Sequence, residues 1–231
     1  MLAIAGGKGG CGKTTTTHRL AAELARLGET PLAVDADAEM PDLHLVADVP
    51  AGPGLPAVTA GDRPRSVAHR TAGGVDVLPT DGIAADAVPA ALRRFRTDEG
   101  PVLVDCPAGA GRDATRPLRA ATRTLLVTTP TPAALRDTLK TAAMARTVET
   151  APIGVVIVDR CGRDAERSDG RSARSANGQP SDGRLTDADA RRLFDCPLLG
   201  RVSSATRERP PAAESGDGYA TLARTVHKRN I

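Results

Sequence analysis

The sequence predicts one α/β domain built on a mainly parallel sheet, with helices packed on both faces. The main observation is that short apolar runs alternate with longer segments of helical periodicity, a pattern typical of such folds. A length of 231 residues fits one domain with a substantial core. Hydrophobic residues make up 40% of the chain and aromatic residues only 1%. The core is therefore expected to consist of Ala, Val, Leu and Ile.

The apolar runs mark the expected strands, and the amphipathic segments between them mark the expected helices. Gly28 should end the first helix as its C′ residue, and Thr186 should cap a later helix. Helices are expected at 13–27, 84–94, 131–148, 186–194 and 215–228, and strands at Leu2–Ala5, Pro31–Val34, Val75–Leu78, Val102–Val104, Thr124–Thr128 and Ile153–Val158.

Two segments fall outside this alternation. Residues 47–74 are rich in Gly, Pro and Ala, which predicts a long connection with a short helix. Residues 162–184 carry almost no apolar side chains, so this segment is expected to be a solvated, disordered loop. A partner-binding or DNA-contacting loop is the alternative for the second segment.

Charge and cysteine content limit the expected kinds of site, although the charge neither demands nor excludes a nucleic-acid partner. The net charge of +3 is too small to indicate a strongly basic nucleic-acid-binding protein. The four cysteines form no C-x-x-C pair and no metal-ligand spacing. No secretory signal or long apolar segment is visible, so a reduced, cytoplasmic protein is expected.

Residues 7–14 read Gly-Lys-Gly-Gly-Cys-Gly-Lys-Thr, and they stand between the first expected strand and the first expected helix. This is the phosphate-binding loop G-x-x-x-x-G-K-[ST] in the context that the motif requires. In such a loop Lys13 reaches the β- and γ-phosphates, and the hydroxyl of Thr14 binds Mg²⁺. Only four of the 31 basic residues are Lys, and two of them, Lys8 and Lys13, lie here. Retained lysine indicates a need for a compact ammonium charge.

Carboxylates follow two of the other expected strands. Asp105 closes an apolar strand, which is where P-loop enzymes hold Mg²⁺. Asp35 and Asp37 follow another strand, and strand alternation is expected to place both carboxylates on one face. One could act on an attacking water while the other orders the metal's water shell. Asp42 is less clearly placed.

These segments together resemble the MinD/ParA family of deviant Walker A P-loop ATPases. The loop at residues 8–15, with its second lysine, resembles the deviant Walker A motif. Residues 34–37 resemble the family's switch I, and residues 105–109, Asp-Cys-Pro-Ala-Gly, resemble its switch II. The fit is closer to MinD-like members than to DNA-partitioning ones. The resemblance implies that residues 1–231 form a single P-loop ATPase domain.

The resemblance also implies a role for individual residues. Lys13 would bind the β- and γ-phosphates, Thr14 would bind Mg²⁺, and Thr15 would contact the α-phosphate. Lys8 would cross to the nucleotide of the opposite subunit when two copies close over ATP, and Asp37 would orient the attacking water. The expected catalytic residues are therefore Lys8, Lys13 and Asp37.

Further contacts carried over from the family complete the expected site. Asp105 would hold Mg²⁺ through water, and Gly109 would sense the γ-phosphate. The other loop residues expected to touch the nucleotide are Gly7, Gly9, Gly10, Cys11 and Gly12. ATP and Mg²⁺ are the implied cofactors, and an ATP-driven homodimer that acts on a partner protein is the implied assembly.

The base-binding segment departs from the family pattern. Asp159-Arg160 stands where relatives carry Asn-Arg, and both residues remain candidates for binding the base. A carboxylate accepts hydrogen bonds but donates none. It could accept from the exocyclic amine of adenine, and equally from guanine N1–H and N2–H₂. The resemblance favours ATP.

Two other functions remain open at this stage. A ParA-like DNA-partition ATPase could use basic patches, either at Arg93, Arg94 and Arg96 or at Arg116, Arg119 and Arg123. A nucleotide-loaded scaffold without catalysis is the third possibility. Membrane binding is not expected, because few apolar residues follow Val226 and the apolar stripe of the last helix is typical of packing on the domain.

Overall fold

A computed structural model describes residues 1–97, 99–160, 184–204 and 215–229. Apart from Arg184, the loop predicted at 162–184 lies outside the described residues. The structure confirms a single α/β domain around a mainly parallel sheet.

The sheet has eight strands in the order β3-β4-β2-β5-β1-β6-β7-β8. Every neighbouring pair is parallel except β3 and β4, which are antiparallel. All strands expected from the apolar runs are present within a few residues of their predicted bounds. The strands are β1 (Leu2–Ala5), β2 (Leu32–Asp35), β3 (His69–Arg70), β4 (Asp76–Leu78), β5 (Val102–Asp105), β6 (Arg123–Thr128), β7 (Pro152–Arg160) and β8 (Leu198–Ser204).

The long helices also begin and end near their predicted bounds. Gly28, with φ of 92°, follows the first helix. The N–H of Glu29 bonds to Leu24 O and that of Gly28 to Ala25 O, which is a Schellman cap. A capping box joins Thr186 and Asp189 as expected. The helices are α1 (Lys13–Arg26), α2 (Leu43–Ala47), α3 (Leu55–Ala60), α4 (Val88–Arg93), α5 (Arg112–Leu118), α6 (Pro132–Thr147), α7 (Asp187–Phe194) and α8 (Ser215–His227), with 3₁₀ turns at Pro64–Ser66 and Arg94–Thr97.

Some elements differ from the sequence prediction. The helix predicted at 84–94 begins only at Val88, because Pro89 suits the first turn of a helix and the preceding residues form turns. Helix α5 was not predicted from the sequence, because it follows a Gly-rich stretch and contains Pro117. The connection predicted at 47–74 includes α3, the first 3₁₀ turn and the edge strand β3.

Alternate residues of the inner strands face opposite layers of helices. Leu2 and Ile4 of β1 join a core cluster with the α1 and α8 side chains, whereas Ala3 and Ala5 join one with α4. In β6, Leu125 and Leu126 divide between two clusters in the same way. The core consists mostly of aliphatic side chains, as the composition predicts. Helices therefore cover both faces of the sheet.

The last helix, α8, packs its apolar stripe on the domain. Tyr219, Leu222 and Val226 are at most 2% exposed, and the Tyr219 hydroxyl lies 3.2 Å from Thr16 Oγ1 of α1. This confirms the expectation that the stripe packs internally. Within the described parts of the chain, no helix has the length and apolarity needed to cross a membrane.

Removing the Leu20 side chain should lower the stability of the whole domain. Leu20 is fully buried where α1 packs on the sheet, so Leu20→Ala should reduce the free energy of unfolding by about 2–5 kcal/mol. Leu45→Ala is the matched control, because Leu45 is 62% exposed and leaves no cavity. Urea unfolding followed by circular dichroism measures both variants. Equal losses would contradict the assignment of Leu20 to the core.

Candidate functional site

A cavity of about 430 Å³ opens at the carboxyl edge of the sheet. Its walls come from the loop after β1, the ends of β2 and β5, and the segment that leads into α2. The carboxyl ends of parallel strands are the usual place for a ligand in folds of this kind. The polar side chains that line it belong to Lys13, Thr14, Thr15, Asp37, Asp42 and Asp105.

The glycines of the loop after β1 allow its tight path. Gly12 has φ of 97°, and a Cβ there would lie 3.3 Å from the Val158 side chain. At Gly7, a Cβ would lie 2.0 Å from the Asp137 carbonyl carbon of α6. The positive φ at Gly12 and the close approach of the α6 backbone at Gly7 therefore require glycine. Gly9, Gly10 and Gly12 line the cavity.

The start of α1 presents a lysine and two threonines to the cavity. Lys13 is the first residue of the helix and is 8% exposed. Among the described residues, no carboxylate forms a hydrogen bond or ion pair with the Lys13 ammonium group. An enclosed cation at a helix N-terminus favours an anionic ligand. Thr14 and Thr15 follow, with both side chains half-buried at the cavity wall.

Asp105 lies at the floor of the cavity and is 2% exposed. The Thr17 hydroxyl of α1 donates to its Oδ1 at 3.3 Å. Burial, and next the neighbouring charge of Asp35, raise the pKa of Asp105 to about 8. A buried carboxylate of this kind is stabilised as an anion by a cation, which is what a metal site supplies.

Asp35 and Asp37 do not share a face as expected, because β2 ends at Asp35 and the chain turns immediately afterwards. Asp35 is fully buried, accepts hydrogen bonds from the backbone N–H groups of Asp37 and Leu43, and does not line the cavity. Burial raises its pKa to about 6. Asp37 lines the cavity, and its Oδ1 also accepts from Met40 N at 3.0 Å. Asp35 thus shapes the loop, and only Asp37 faces the site.

The segment that leads into α2 supplies a wall that the sequence analysis did not foresee. Met40 and Pro41 of this segment form an apolar wall together with Val46 of α2, and Met40 is 77% exposed. Asp42 belongs to the same wall and accepts a 2.8 Å hydrogen bond from the Thr14 hydroxyl. The one available signal was Asp42 itself, which precedes the apolar Leu43 as an N-cap residue would.

Several residues expected to touch a nucleotide lie outside the cavity wall. The Lys8 side chain is exposed and has no hydrogen bond or ion pair to any described residue. The Cys11 side chain is buried in the core, and burial raises its pKa. The N–H of Gly109 bonds to Gly6 O at 3.2 Å, beside the loop.

The residues expected to bind the base lie further along the same sheet edge, at the end of β7. Asp159 Oδ1 lies 3.6 Å from the Arg201 guanidinium. Arg160 pairs with Ser204 of β8 through the backbone, and its side chain lies outside the described atoms. Neither residue lines the cavity. The ion pair to Arg201 uses the carboxylate that was expected to face a base.

The donors around the cavity suit Mg²⁺. Apart from the buried Cys106 thiol, they are oxygen atoms, from the Thr14 hydroxyl and the carboxylates of Asp37, Asp42 and Asp105. In the described part of the chain, no group of three or more His, Cys, Asp or Glu side chains could hold a metal. Mg²⁺ fits such a set, since proteins usually bind it through one or two side chains together with substrate phosphates.

A comparison with known protein families identifies the family to which this chain belongs. The model of the CobQ/CobB/MinD/ParA nucleotide-binding domain matches residues 2–180. The chain belongs to this family. The match covers the loop after β1, the Asp35–Asp37 segment and Asp105, so the resemblance seen in the motifs is confirmed for a nucleotide-binding domain of this type.

Individual relatives agree with this assignment. An uncharacterized ATP-binding protein of Methanocaldococcus jannaschii is 35% identical over 175 residues, which are 71% of this chain and 65% of that protein. The chain thus spans slightly less than two thirds of that relative. The cell division ATPase MinD of Pyrococcus furiosus superposes with a TM-score of 0.78 at 26% identity, covering 99% of this chain and 98% of that chain. The septum site-determining protein MinD of Pyrococcus horikoshii, complexed with Mg-ADP, gives a TM-score of 0.77 at 27% identity, with coverage of 99% and 96%.

The buried Asp105 carboxyl should make the stability of the domain depend on pH. Its native pKa of about 8 exceeds the ordinary value of 3.8, so between these values the native state holds a proton that the unfolded state has lost. Stability should therefore fall as pH rises from about 4 to 8. Asp105→Asn lacks this titration. The difference in free energy of unfolding between Asp105→Asn and the wild-type chain should therefore grow, in favour of the variant, by about 2–4 kcal/mol as the pH rises from 5 to 8.

Urea unfolding in EDTA without nucleotide tests this prediction, because no cation then compensates the carboxylate. Asp48→Asn alters an exposed carboxylate at the end of α2 and is the control. A constant difference between Asp105→Asn and the wild-type chain across this pH range would contradict the prediction.

Proposed function

We propose that this chain is a MinD-like ATPase that binds Mg-ATP, pairs with a second copy and hydrolyses ATP as a switch acting on a partner protein. The observation that carries the proposal is the cavity in which Lys13, Thr14 and Asp105 converge at the carboxyl edge of the sheet. The family match and the Mg-ADP complex of the Pyrococcus horikoshii relative support the choice of ligand.

Phosphate binding is assigned to the start of α1 and the loop before it. The backbone N–H groups at that helix end and the enclosed Lys13 ammonium attract the β- and γ-phosphates. Thr15 is placed to contact the α-phosphate. Thr14 offers its hydroxyl oxygen to Mg²⁺, and Asp105 holds the water shell of the metal. When bound, Mg²⁺ neutralises phosphate charge.

Hydrolysis requires an oriented water molecule and a stabilised transition state. Asp37 lines the cavity, and the hydrogen bond from Met40 N to its Oδ1 holds the carboxylate in position. It is therefore assigned to orient the attacking water. Gly109 lies next to the loop after β1, because its N–H donates to Gly6 O. The segment around Gly109 is therefore assigned to respond to the γ-phosphate.

A second copy explains the position of Lys8. Its ammonium group is exposed and does not line the cavity of its own chain, although Gly9 and Gly10 next to it do. Two copies facing each other across their cavities would bring each Lys8 to the other's triphosphate. A cation supplied in this way stabilises charge in the transition state. ATP would then favour the pair, and hydrolysis would release it.

Loss of the Lys13 ammonium should remove most of the affinity for ATP. Hydrogen bonds to charged groups contribute about 1.5–3 kcal/mol each, so Lys13→Ala should weaken Mg-ATP binding by at least about 10- to 100-fold. Lys140→Ala is the matched control, since Lys140 is exposed on α6 and pairs only with Asp137 among the described residues. Isothermal titration calorimetry gives both affinities. Undiminished binding by Lys13→Ala would contradict the proposed site.

Loss of Lys8 should separate binding from hydrolysis. Lys8→Ala keeps the whole cavity wall, so Mg-ATP should bind with little change, but kcat should fall by about 10³-fold, as for other cations supplied by a partner. Phosphate release and size-exclusion chromatography with ATP or ADP measure turnover and pairing. Normal hydrolysis by Lys8→Ala would show that the lysine does not act across a dimer.

A further inference from the structure

The hydrogen bond between Thr14 and Asp42 joins two parts of the site that are far apart in sequence. The Thr14 hydroxyl donates to Asp42 Oδ1 at 2.8 Å, a normal length for an O–H···O⁻ bond. Thr14 stands in the first turn of α1, and Asp42 stands directly before α2. Thr14 also forms a side-chain hydrogen bond with Asp105, so Asp42 and Asp105 are the two carboxyl groups beside its hydroxyl, and the 2.8 Å bond directs the proton to Asp42.

Asp42 makes this bond in place of the one that its position in the chain favours. It is the N-cap residue of α2, where an Asp side chain commonly accepts from a backbone N–H of the first turn. No such capping bond is present, and the carboxylate points across the cavity wall to Thr14 instead. The N–H of Leu43 is satisfied by Asp35 Oδ2 at 3.1 Å. The loop thus frees the Asp42 carboxylate for the contact with Thr14.

The surrounding loop holds Asp42 in this place. Asp35 accepts from the N–H groups of Asp37 and Leu43, and Asp37 accepts from that of Met40. Leu43, the next residue, is fully buried in the core cluster beneath α1. Asp42 is itself exposed, so its position is set by two buried residues, Asp35 before it and Leu43 after it.

A threonine hydroxyl has one proton and two lone pairs. When the Thr14 hydroxyl donates its hydrogen bond to Asp42, both lone pairs of Thr14 Oγ1 remain available for a cation. We propose that Asp42 is a positioning residue that orients the Thr14 hydroxyl for Mg²⁺ and thereby couples the segment before α2 to the metal. This inference rests on the proposed function, because it presumes that Thr14 binds Mg²⁺.

The coupling has a structural consequence for the cavity. Met40 and Val46 stand on either side of Asp42 along the chain, and both line the wall. Mg²⁺ at Thr14 strengthens the polarisation of the hydroxyl, and with it the bond to Asp42. The apolar wall is then held more firmly over the site when the metal is bound than when it is absent.

Mg²⁺-dependent binding of ADP tests the inference without any catalytic step. Calorimetric titration of ADP into the full chain, in EDTA and at a series of Mg²⁺ concentrations, gives the Mg²⁺ requirement. Loss of a group that orients a metal ligand typically weakens metal binding by about 10- to 100-fold. Asp42→Ala should raise the Mg²⁺ requirement by about 10-fold and leave the affinity for ADP in EDTA within about 2-fold of the wild-type value.

Two variants serve as matched controls. Asp42→Asn keeps an oxygen that accepts the Thr14 proton and should restore most of the wild-type Mg²⁺ requirement. Asp48→Asn removes an exposed carboxylate at the other end of α2 and should behave as the wild-type chain. An unchanged Mg²⁺ requirement in Asp42→Ala, or an equal loss of ADP affinity in EDTA, would overturn the inference.

A double variant separates positioning from direct metal binding. If Asp42 acts through Thr14, then adding Asp42→Ala to Thr14→Ala should change the Mg²⁺ requirement by less than about 2-fold. A full further loss would show that Asp42 binds the metal itself and would reject the positioning role. Failure of the wild-type chain to bind ADP more tightly with Mg²⁺ would instead contradict the proposed function.

Discussion

The site depends on keeping a lysine and a carboxylate out of water at one edge of the sheet. Lys13 is 8% exposed and Asp105 is 2% exposed. The charge of Lys13 lowers the pKa of Asp105, but burial and the charge of Asp35 outweigh it, and among the described residues neither group forms an ion pair. Burial of unpaired charge is costly, and the raised pKa of Asp105 expresses that cost. A bound metal–triphosphate complex would supply an anion to the first group and a cation to the second. Ligand binding would thus remove the unfavourable free energy of these two buried groups.

The sheet places these groups, and the segment before α2 encloses them. β1, β2 and β5 are adjacent and parallel, so the loop after β1 and the carboxylates after β2 and β5 meet at one edge. The Asp35 carboxylate accepts hydrogen bonds from two backbone N–H groups and so stabilises the turn that brings Asp37 and Asp42 to the cavity. One buried carboxylate therefore sets the geometry of two that face the ligand.

Much of the fold could be predicted because its signals are local. The alternation of apolar runs and helical periods marked the inner strands and the long helices, and Gly28 and Thr186 marked helix ends through their own conformations. The helix α5 was missed because Pro117 and the glycines before it are typical of loops. Tertiary packing of buried Leu118 and Ala114 overrides that local preference.

Local sequence patterns were enough to predict the phosphate-binding loop, the carboxylate at the end of β5 and the alternation of inner strands and long helices, because each depends on neighbours within a few residues. Which carboxylates face the cavity became clear from the folded structure alone. In the folded chain Asp35 points inward, Asp159 pairs with Arg201, and Asp42 lies beside Thr14. Those outcomes depend on contacts between residues distant in the chain, such as the 2.8 Å bond from α1 to the start of α2, and spacing along a sequence carries no measure of that distance.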